Sequence, residues 1–500
     1  MQKLHERVLD IAIQRGFLIP SAEIYGAPAG FYDYGPIGTP IKRKMQNLWR
    51  EIFISKNGFL EIESSTVVPH EVLVASGHAT NFTDPVVICK KDKKQFRADH
   101  LLQDATQISW EGKTPHQLDE AIKSHGIKCP ECKGELSAVQ AFNLMFATKV
   151  GSSEKENAYL RPETAQGIFL DFKRIFMQNG SKLPFAIGQI GKSYRNEISP
   201  RQGLVRMREF TQMELEYFFN PAEDIWGGFE KIQNKKIRIK PPAEGDAQME
   251  VDEYSLQEAI ERKWVPNQIM AAMIYWQQQY YEKIGIEKGK FHFAVLPLDA
   301  LPHYSKGNVD LEVETSYGTI ETSGTAYRTD FDLANHSKHS KVDLSVLDPM
   351  TNQKVMPHVI EPSLGVDRPF YCILEHCFRP KSAEKEWDWF AFPTFVAPYI
   401  AGIFPLMKKD GLPEIAQEIV DELRAQGIEC YYTQSGSIGK RYARADEIGV
   451  PYCITIDYDS KEKGDVTIRY RDDGGQERIK IFDLAKKLQK LSAENKTSLK

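Results

Sequence analysis

Four arginines crowd one short segment, RNEISPRQGLVRMREFTQME at residues 195–214: Arg195, Arg201, Arg206 and Arg208, each within reach of a carboxylate. A guanidinium fork binds phosphate or carboxylate bidentately and stays charged at any working pH, so such a cluster suits chemistry on phosphate oxygens. A solvated hairpin with surface ion pairs would carry the same composition. Two further segments shift the balance. YLRPETAQGIF (159–169) carries Glu163, and VIEPSLGVDRPF (359–370) sets Glu361, Ser363, Asp367 and Arg368 around Gly365, with Pro369 suited to opening a helix.

Elements must hold these residues in place. Alternation on both sides of Ser199-Pro200-Arg201-Gln202-Gly203, with Val205, Met207 and Phe210 on one flank, predicts two strands joined by a turn. Ile41, Met45, Leu48 and Ile52 recur at helical spacing over 41–57, and Gly58 ends the pattern. Strand-like residues follow from Phe59, and Pro69 suits a strand end or sheet edge. Short strands with turn signals fill 160–219 and 291–367 without regular strand–helix alternation, which favours an α+β fold, an antiparallel sheet flanked by helices.

Residues 101–140 are polar and loop-rich and contain CPEC, so they read as an insertion; 220–290 read as a second, mostly helical one. The rhythm changes near residue 390, in EWDWFAFPTFVAP. The expected division is a core at 1–390, with insertions at about 101–150 and 220–290, and a C-terminal mixed α/β domain at 391–500. That domain reads as strand, helix, strand, a Gly/Ser loop into a helix, strand, a hairpin around Asp472-Asp473-Gly474-Gly475, and a final helix.

Bulk properties narrow the class. A chain of 500 residues suits two or three domains, and 41% hydrophobic with 27% charged residues is ordinary globular composition. It holds no apolar run long enough to span a bilayer, and the N-terminal MQKLHERVLDIAIQRG lacks the apolar centre of a secretory signal. Seven Cys, odd in number and sparse, argue against a disulfide framework and for a reducing, cytoplasmic compartment. A formal net charge of -5 excludes a globally basic nucleic-acid coat but leaves local patches open, such as the Lys- and Arg-rich stretch 461–500.

The ordered series RADHL (97–101), RPETAQG, SYRNEISPR, SYGTIETSGTAYRTDFDL, EPSLGVDR, PLMKKDGLPEIA and SGSIGKRYARADEIGVPYC resembles the class II aminoacyl-tRNA synthetases, specifically the dimeric glycyl type, over nearly the whole chain. The Arg-rich segment matches that family's second signature motif and EPSLGVDR its third. The resemblance implies a homodimer that joins glycine to ATP as glycyl-adenylate, releasing pyrophosphate, and then transfers glycine to the 3′-terminal adenosine of tRNA(Gly), with Mg2+ accompanying ATP. The physics agrees: a carboxylate is already a nucleophile, so the first step needs positioning and charge stabilisation rather than a general base.

By resemblance, Arg195 holds the α-phosphate and the substrate carboxylate, and Arg368 holds the γ-phosphate. Asn196, Glu197, Val205, Arg206 and Arg208 surround the adenine, on which Phe210 stacks. Glu321 and Thr322 stand near ATP and its magnesium, with Gly365 and Asp367 beside them. Glu163, Glu214 and Glu361 ring the glycine ammonium, Gln212 and Ser363 lie close by, and Arg97 and Arg328 order the pocket. Steric clash rejects larger amino acids more readily than lost contacts reject smaller ones, so a glycine site has little need of editing. The C-terminal unit resembles an anticodon-binding domain, in which Lys440, Arg441 and Arg444 would meet RNA phosphates or form a plain exposed basic helix.

Some features depart from the family. Cys129-Pro-Glu-Cys132 has zinc-ligand spacing, but the earlier element is Cys89-Lys-Lys-Asp92, where relatives often have a second CxxC. Zinc accepts Asp oxygen, yet structural sites prefer Cys and His, so a Cys3Asp zinc site and a metal-free turn both stay open and no residue is assigned as a metal ligand. Thr211 stands where relatives often have Glu, which bears on the ammonium shell. His336, His339, His358 and His376 read as structural or surface residues. Two rivals remain: a synthetase for another small amino acid such as proline or serine, disfavoured by Glu163, Glu361 and Ser363, and a catalytically dead nucleic-acid-binding relative. In the latter, buried Arg195, Glu197, Glu361 and Arg368 would be costly without purpose.

Overall fold

A computed structural model describes residues 3–108, 110, 112–151, 156–200, 203–243, 249–301, 304–349, 351–383 and 385–497. Arg201 and Gln202 of the Arg-rich segment lie outside these. Nine strands form the central sheet: β1 (Leu60–Ile62), β2 (Phe185–Tyr194), β3 (Glu209–Phe219), β4 (Lys236–Lys240), β5 (Asp252–Ser255), β6 (Phe291–Val295), β7 (Asn308–Thr315), β8 (Gly318–Thr329) and β9 (His358–Gly365), in spatial order β5-β4-β6-β7-β8-β9-β3-β2-β1. All pairs are antiparallel except β1 with β2 and β4 with β6.

The expected strand pair exists but is joined by a longer connection. Tyr194 pairs with Glu209, so 195–200 and 203–208 lie outside the ladder, with a short 3-10 turn at Gly203–Val205. β3 runs through the middle of the sheet and is buried on both faces. Its alternation divides labour: Gln212, Glu214 and Glu216 point to one side, and Met213, Leu215 and Tyr217 pack into the main core on the other.

Helix α1 (Gly38–Trp49) buries Ile41, Met45, Leu48 and Trp49, continues through one π turn at Arg50–Ile54, and stops at Gly58 in the left-handed region (φ 66). Helix α2 (Ala165–Gln178) seats Phe169 and Phe172 against Phe218, with the Phe172 and Phe218 ring centres 4.5 Å apart. Helix α3 (Gln268–Ile284) is apolar nearly all round and is buried behind the sheet, where Gln277 donates to Thr325 Oγ1 (2.6 Å) and accepts from Ser323 Oγ (3.0 Å). Helices α4 (Phe331–Ser340) and α5 (Asp367–Cys377) follow β8 and β9.

Both insertions differ from expectation. The first unit begins earlier and is not loop-rich: Thr83–Ile88, Gln95–Arg97 and Gln140–Asn143 form a small sheet, accompanied by helices Ala98–Thr106 and Pro115–Ser124, around Val87, Phe96, Leu102, Leu118 and Ile122. Its helices are short and heavily charged, which hides their apolar spacing. In 220–290, KIRIK (236–240) is a strand whose Ile237 and Ile239 are buried, extending the central sheet rather than belonging to a helical module.

Residues 401–497 build a second sheet, β10 (Ala401–Pro405), β11 (Cys430–Tyr432), β12 (Tyr452–Ile456), β13 (Asp465–Tyr470) and β14 (Gln476–Lys480), with order β11-β10-β12-β13-β14 and its own core of Ile403, Ile419, Val420, Ile454, Val466 and Leu484. Phe390 and Phe392, stacked at 5.1 Å, and the ion pairs Arg15–Glu447 (2.8 Å) and Lys385–Asp446 (3.3 Å) join it to the first unit. Arg441 is not available to RNA: it is buried and donates to the carbonyls of Pro405 and Gly436, while Lys440 and Arg444 stay exposed. No helix among the described residues is long and apolar enough to cross a membrane.

Candidate active site

A cavity of about 390 Å³ opens over the middle of the central sheet, where β7, β8, β9 and β3 lie side by side. One row of residues crosses its floor: Asp310 opposite Gly324, Gly324 opposite Ser363, and Ser363 opposite Glu214. Gly324 keeps that floor low, since a Cβ there would meet Asp310 Oδ1 at 3.0 Å.

Glu214 organises one end. One carboxylate oxygen accepts from the backbone N–H (2.9 Å) and the hydroxyl of Thr164; the other accepts from Gln212 Nε2 (2.9 Å) and Ser363 Oγ (2.6 Å). With two donors on each oxygen, this carboxylate is saturated. Both of its oxygens are thus engaged by Thr164, Gln212 and Ser363, whereas the resemblance implies that Glu214 meets the glycine ammonium. Thr164 reaches Glu214 because it sits at the N-cap of α2 without capping that helix itself.

Glu163 and Glu361 keep acceptor capacity. Glu163 accepts from Gln166 Nε2 (2.8 Å) and faces His78 Nε2 at 3.4 Å. Burial alone would raise its carboxyl, but His78, Arg328 and Gln166 outweigh that and hold it well below the usual carboxylate range. Glu361 accepts from Arg328 (2.8 Å) through one oxygen. Burial, assisted by Glu214 and Glu163, pushes its carboxyl up to about 8 against the pull of Arg328. Arg328 is itself buried, donates two further bonds to Asp332 (2.8 and 3.0 Å), and lies 4.4 Å from the Tyr304 ring centre.

At the other end Arg195 lies between two aromatic faces, 5.2 Å from the Phe210 centroid and 5.3 Å from that of Phe82. Its backbone N–H donates to Arg208 O (2.9 Å), which closes the neck of the connection between β2 and β3. Arg368 donates to the carbonyls of Val205 (2.9 Å) and Glu321 (2.7 Å), tying α5 to that connection and to β8. Glu197, Arg206, Thr322 and Gly365 complete this wall.

Three expected residues do not line the cavity. Arg97 is paired with Asp84 (3.0 Å) and Asp99 (2.5 Å) inside the first insertion. Arg208 binds the carbonyls of Glu197 and Ala29 and works as a loop brace. Asn196 is held through its backbone by Leu144 O (2.6 Å). Asp367 borders the cavity, but Tyr34 Oη (2.5 Å) and Thr211 N (2.6 Å) engage its carboxylate. Thr211 itself accepts from Lys42 Nζ (2.8 Å) and lies on the alternate face of β3, so it does not belong to the carboxylate shell.

His78, Phe82, Thr164, Gln166, Tyr304, Asp310 and Asp332 join the site without having been foreseen. Only Asp332 carried a local signal, its spacing of four from Arg328. Of the histidines, His336 is buried and sits 2.7 Å from Gln166 Oε1, a structural support. Away from the cavity, one donor atom each from Cys89, Asp92, Cys129 and Cys132 converge within 4.8 Å of one another.

Residues 146–238 match the tRNA synthetase class II core domain (G, H, P, S and T), and 401–491 match an anticodon binding domain. Proteins named glycine–tRNA ligase are similar along their whole length: that of Methanocaldococcus jannaschii is 40% identical over 96% of this chain and 98% of its own, and that of Pyrococcus horikoshii is 39% identical over 97% and 98%. The Methanococcus maripaludis C7 protein is 38% identical over 96% and 98%. Each alignment is longer than this chain, so these relatives carry segments with no counterpart here. With such identity across nearly all of both chains, and a class II core followed by an anticodon-binding domain, the protein belongs to the glycine–tRNA ligase family.

Proposed function

We propose that this chain ligates glycine to tRNA(Gly) in two steps. The glycine carboxylate attacks the α-phosphorus of ATP to give glycyl-adenylate and pyrophosphate; the 3′-terminal ribose hydroxyl of tRNA then attacks the adenylate carbonyl. The observation that carries this reading is the pairing, in one cavity, of two carboxylates with open acceptor positions, Glu163 and Glu361, with the two guanidinium groups of Arg195 and Arg368. Glu163 and Glu361 receive the ammonium, and Ser363, oriented by Glu214, borders it.

Arg195, held between Phe82 and Phe210, binds the substrate carboxylate and α-phosphate, which brings nucleophile and electrophile together and offsets charge as it builds on phosphate oxygen. Arg368 serves the γ-phosphate. The adenine stacks on Phe210 and is read by Glu197 and the backbone at Val205 and Arg206. Mg2+ travels with ATP and neutralises phosphate charge; Glu321 offers it a carboxylate. A row floored by Gly324 and walled by buried carboxyls leaves little space for a side chain. The domain at 391–500 binds the anticodon arm, the enzyme works as a homodimer, and a cytoplasmic setting suits its seven unpaired thiols.

Amino-acid-dependent exchange of labelled pyrophosphate into ATP, comparing glycine, alanine, serine and proline without tRNA, tests the reading. Exchange with glycine alone is expected. No exchange with any of them, from folded protein with magnesium, would overturn it.

A further inference from the structure

Two turns that face each other in the first insertion share one backbone geometry. In the first, Cys89 N donates to Lys94 O (2.8 Å) and Lys93 N to Cys89 O (3.0 Å); in the second, Cys129 N donates to Gly134 O (2.9 Å) and Lys133 N to Cys129 O (3.0 Å). Lys93 and Lys133 both adopt left-handed backbone, at φ 62 and 58. That is an unfavourable choice for lysine, made twice at the same place in two loops. The repeat makes Asp92 the positional equivalent of Cys132.

We propose that Cys89, Asp92, Cys129 and Cys132 bind a structural Zn2+ ion as a Cys3Asp site that clips these two turns together. Cys89 Sγ and Cys132 Sγ are 3.4 Å apart, and Cys129 Sγ and Asp92 Oδ2 are 3.6 Å apart. Ligands about 2.0–2.3 Å from a tetrahedral zinc stand roughly 3.3–3.8 Å from one another, so both of these pairs have the spacing the ion imposes, and the whole donor set lies within 4.8 Å. A disulfide would need sulfurs at about 2.05 Å. Three thiolates and one carboxylate suit zinc rather than magnesium or calcium, which take oxygen ligands. The backbone N–H of Asp92 points at Cys89 Sγ (3.5 Å), an outer contact that stabilises a metal-bound thiolate.

Charge and stability point the same way. Four anionic ligands around Zn2+ leave a net negative centre, and Lys90, Lys91, Lys93, Lys94, Lys128 and Lys133 surround it in sequence. The unit has only a small apolar core, of which Cys89 and Cys129 are themselves members, and a core that size gains from a metal clip. Its rigidity matters to the cavity: Gln95 O accepts from Ser199 Oγ (3.0 Å), and His100 lies 3.4 Å from Arg206.

Elemental analysis of the full chain, with chelator-competition titration of Zn2+ and replacement by Co2+, tests the site. One zinc per chain and a thiolate-to-cobalt charge-transfer band are expected. Asp92 lies on the exposed rim, so its variants keep the test valid even if a cysteine variant misfolds. Asp92→Ala should weaken zinc by more than the roughly 10- to 100-fold that an outer partner costs, and Asp92→Cys should bind at least as tightly as the parent. Reduced protein that takes up no Zn2+, a Cys89–Cys132 disulfide in protein isolated under reducing conditions, or unaltered affinity in Asp92→Ala would overturn the site. Zinc content is read without any ligation assay, so the result stands or falls separately from glycine activation.

Discussion

Glu216 stands opposite Glu361 on neighbouring antiparallel strands: the register that pairs Glu214 with Ser363 and Tyr217 with Ile360 sets the two carboxyls face to face. Glu361 has Arg328, whereas Glu216 is fully buried and neither of its carboxyl oxygens has a hydrogen-bond partner among the described residues. Burial, and after it the charge of Glu361, raises the Glu216 carboxyl well above its ordinary range. Two ionised carboxylates opposite each other in a buried sheet are strongly unfavourable, so Glu216 holds a proton, and Glu361, its carboxyl raised to about 8, gives up its own to the cation it meets.

From this, Glu216→Gln, a neutral substitute of the same shape, should leave the KM for glycine within about 3-fold of the parent in pyrophosphate exchange at neutral pH. An ionised Glu216 would instead show itself as a rise of roughly 10-fold or more. Infrared difference spectra supply a second reading, since the variant should lose a protonated-carboxyl band.

The same pair makes stability depend on pH. A carboxyl whose folded pKa is raised keeps its proton in the native state after the unfolded chain has lost it, so its contribution is full below about pH 4.3 and fades as pH climbs toward the folded value, about 8 for Glu361. Each such group lowers the unfolding free energy by up to about 1.4 kcal/mol per pH unit inside that window. Glu216→Gln removes one of them, so urea unfolding between roughly pH 5 and 7 should show a flatter decline than in the parent.

Arg328 donates to Glu361 and Asp332 from a buried position, and a lysine ammonium does not reproduce that fork. Arg328→Lys should cost about 3 kcal/mol or more in chemical denaturation, because it leaves a buried carboxylate without its partner. A loss below about 1 kcal/mol would mean that the fork matters little.

Arg97 offers the opposite case. Its guanidinium is committed to Asp84 and Asp99, away from the cavity. Arg97→Ala should therefore lower the thermal midpoint and speed proteolysis within 83–143, with the KM for glycine changed by no more than about 3-fold. A large rise in KM with an unchanged midpoint would restore it to the pocket.

Glu214→Gln tests whether a saturated carboxylate orients the site. Its four donors come from Thr164, Gln212 and Ser363, and an amide group in place of one oxygen sets donor against donor. A drop of about 100-fold or more in glycine-dependent exchange is expected, with roughly 2–3 kcal/mol of stability lost, and Ser363→Ala should have the smaller effect on both.

What the sequence determined by itself was whatever local pattern encodes. Apolar periodicity marked a helix over 41–57 and its end at Gly58, alternation marked β2 and β3, and the family resemblance carried by the ordered motifs marked Glu163, Arg195, Glu361, Ser363 and Arg368 as site residues. Strong periodicity and charged side chains at fixed offsets survive in one dimension because a helix or strand imposes them. Only the tertiary structure decided how those charges are shared. Glu214 is saturated because Thr164, from another segment, docks on it; Arg97 is withdrawn because Asp84 folds back to it; Thr211 leaves the shell because its strand turns it to Lys42; and Glu216 becomes a proton holder because sheet register sets it against Glu361. Each of these depends on which distant residue fills the remaining hydrogen-bond positions of a buried group, and that is fixed by packing across the sheet rather than by neighbours along the chain.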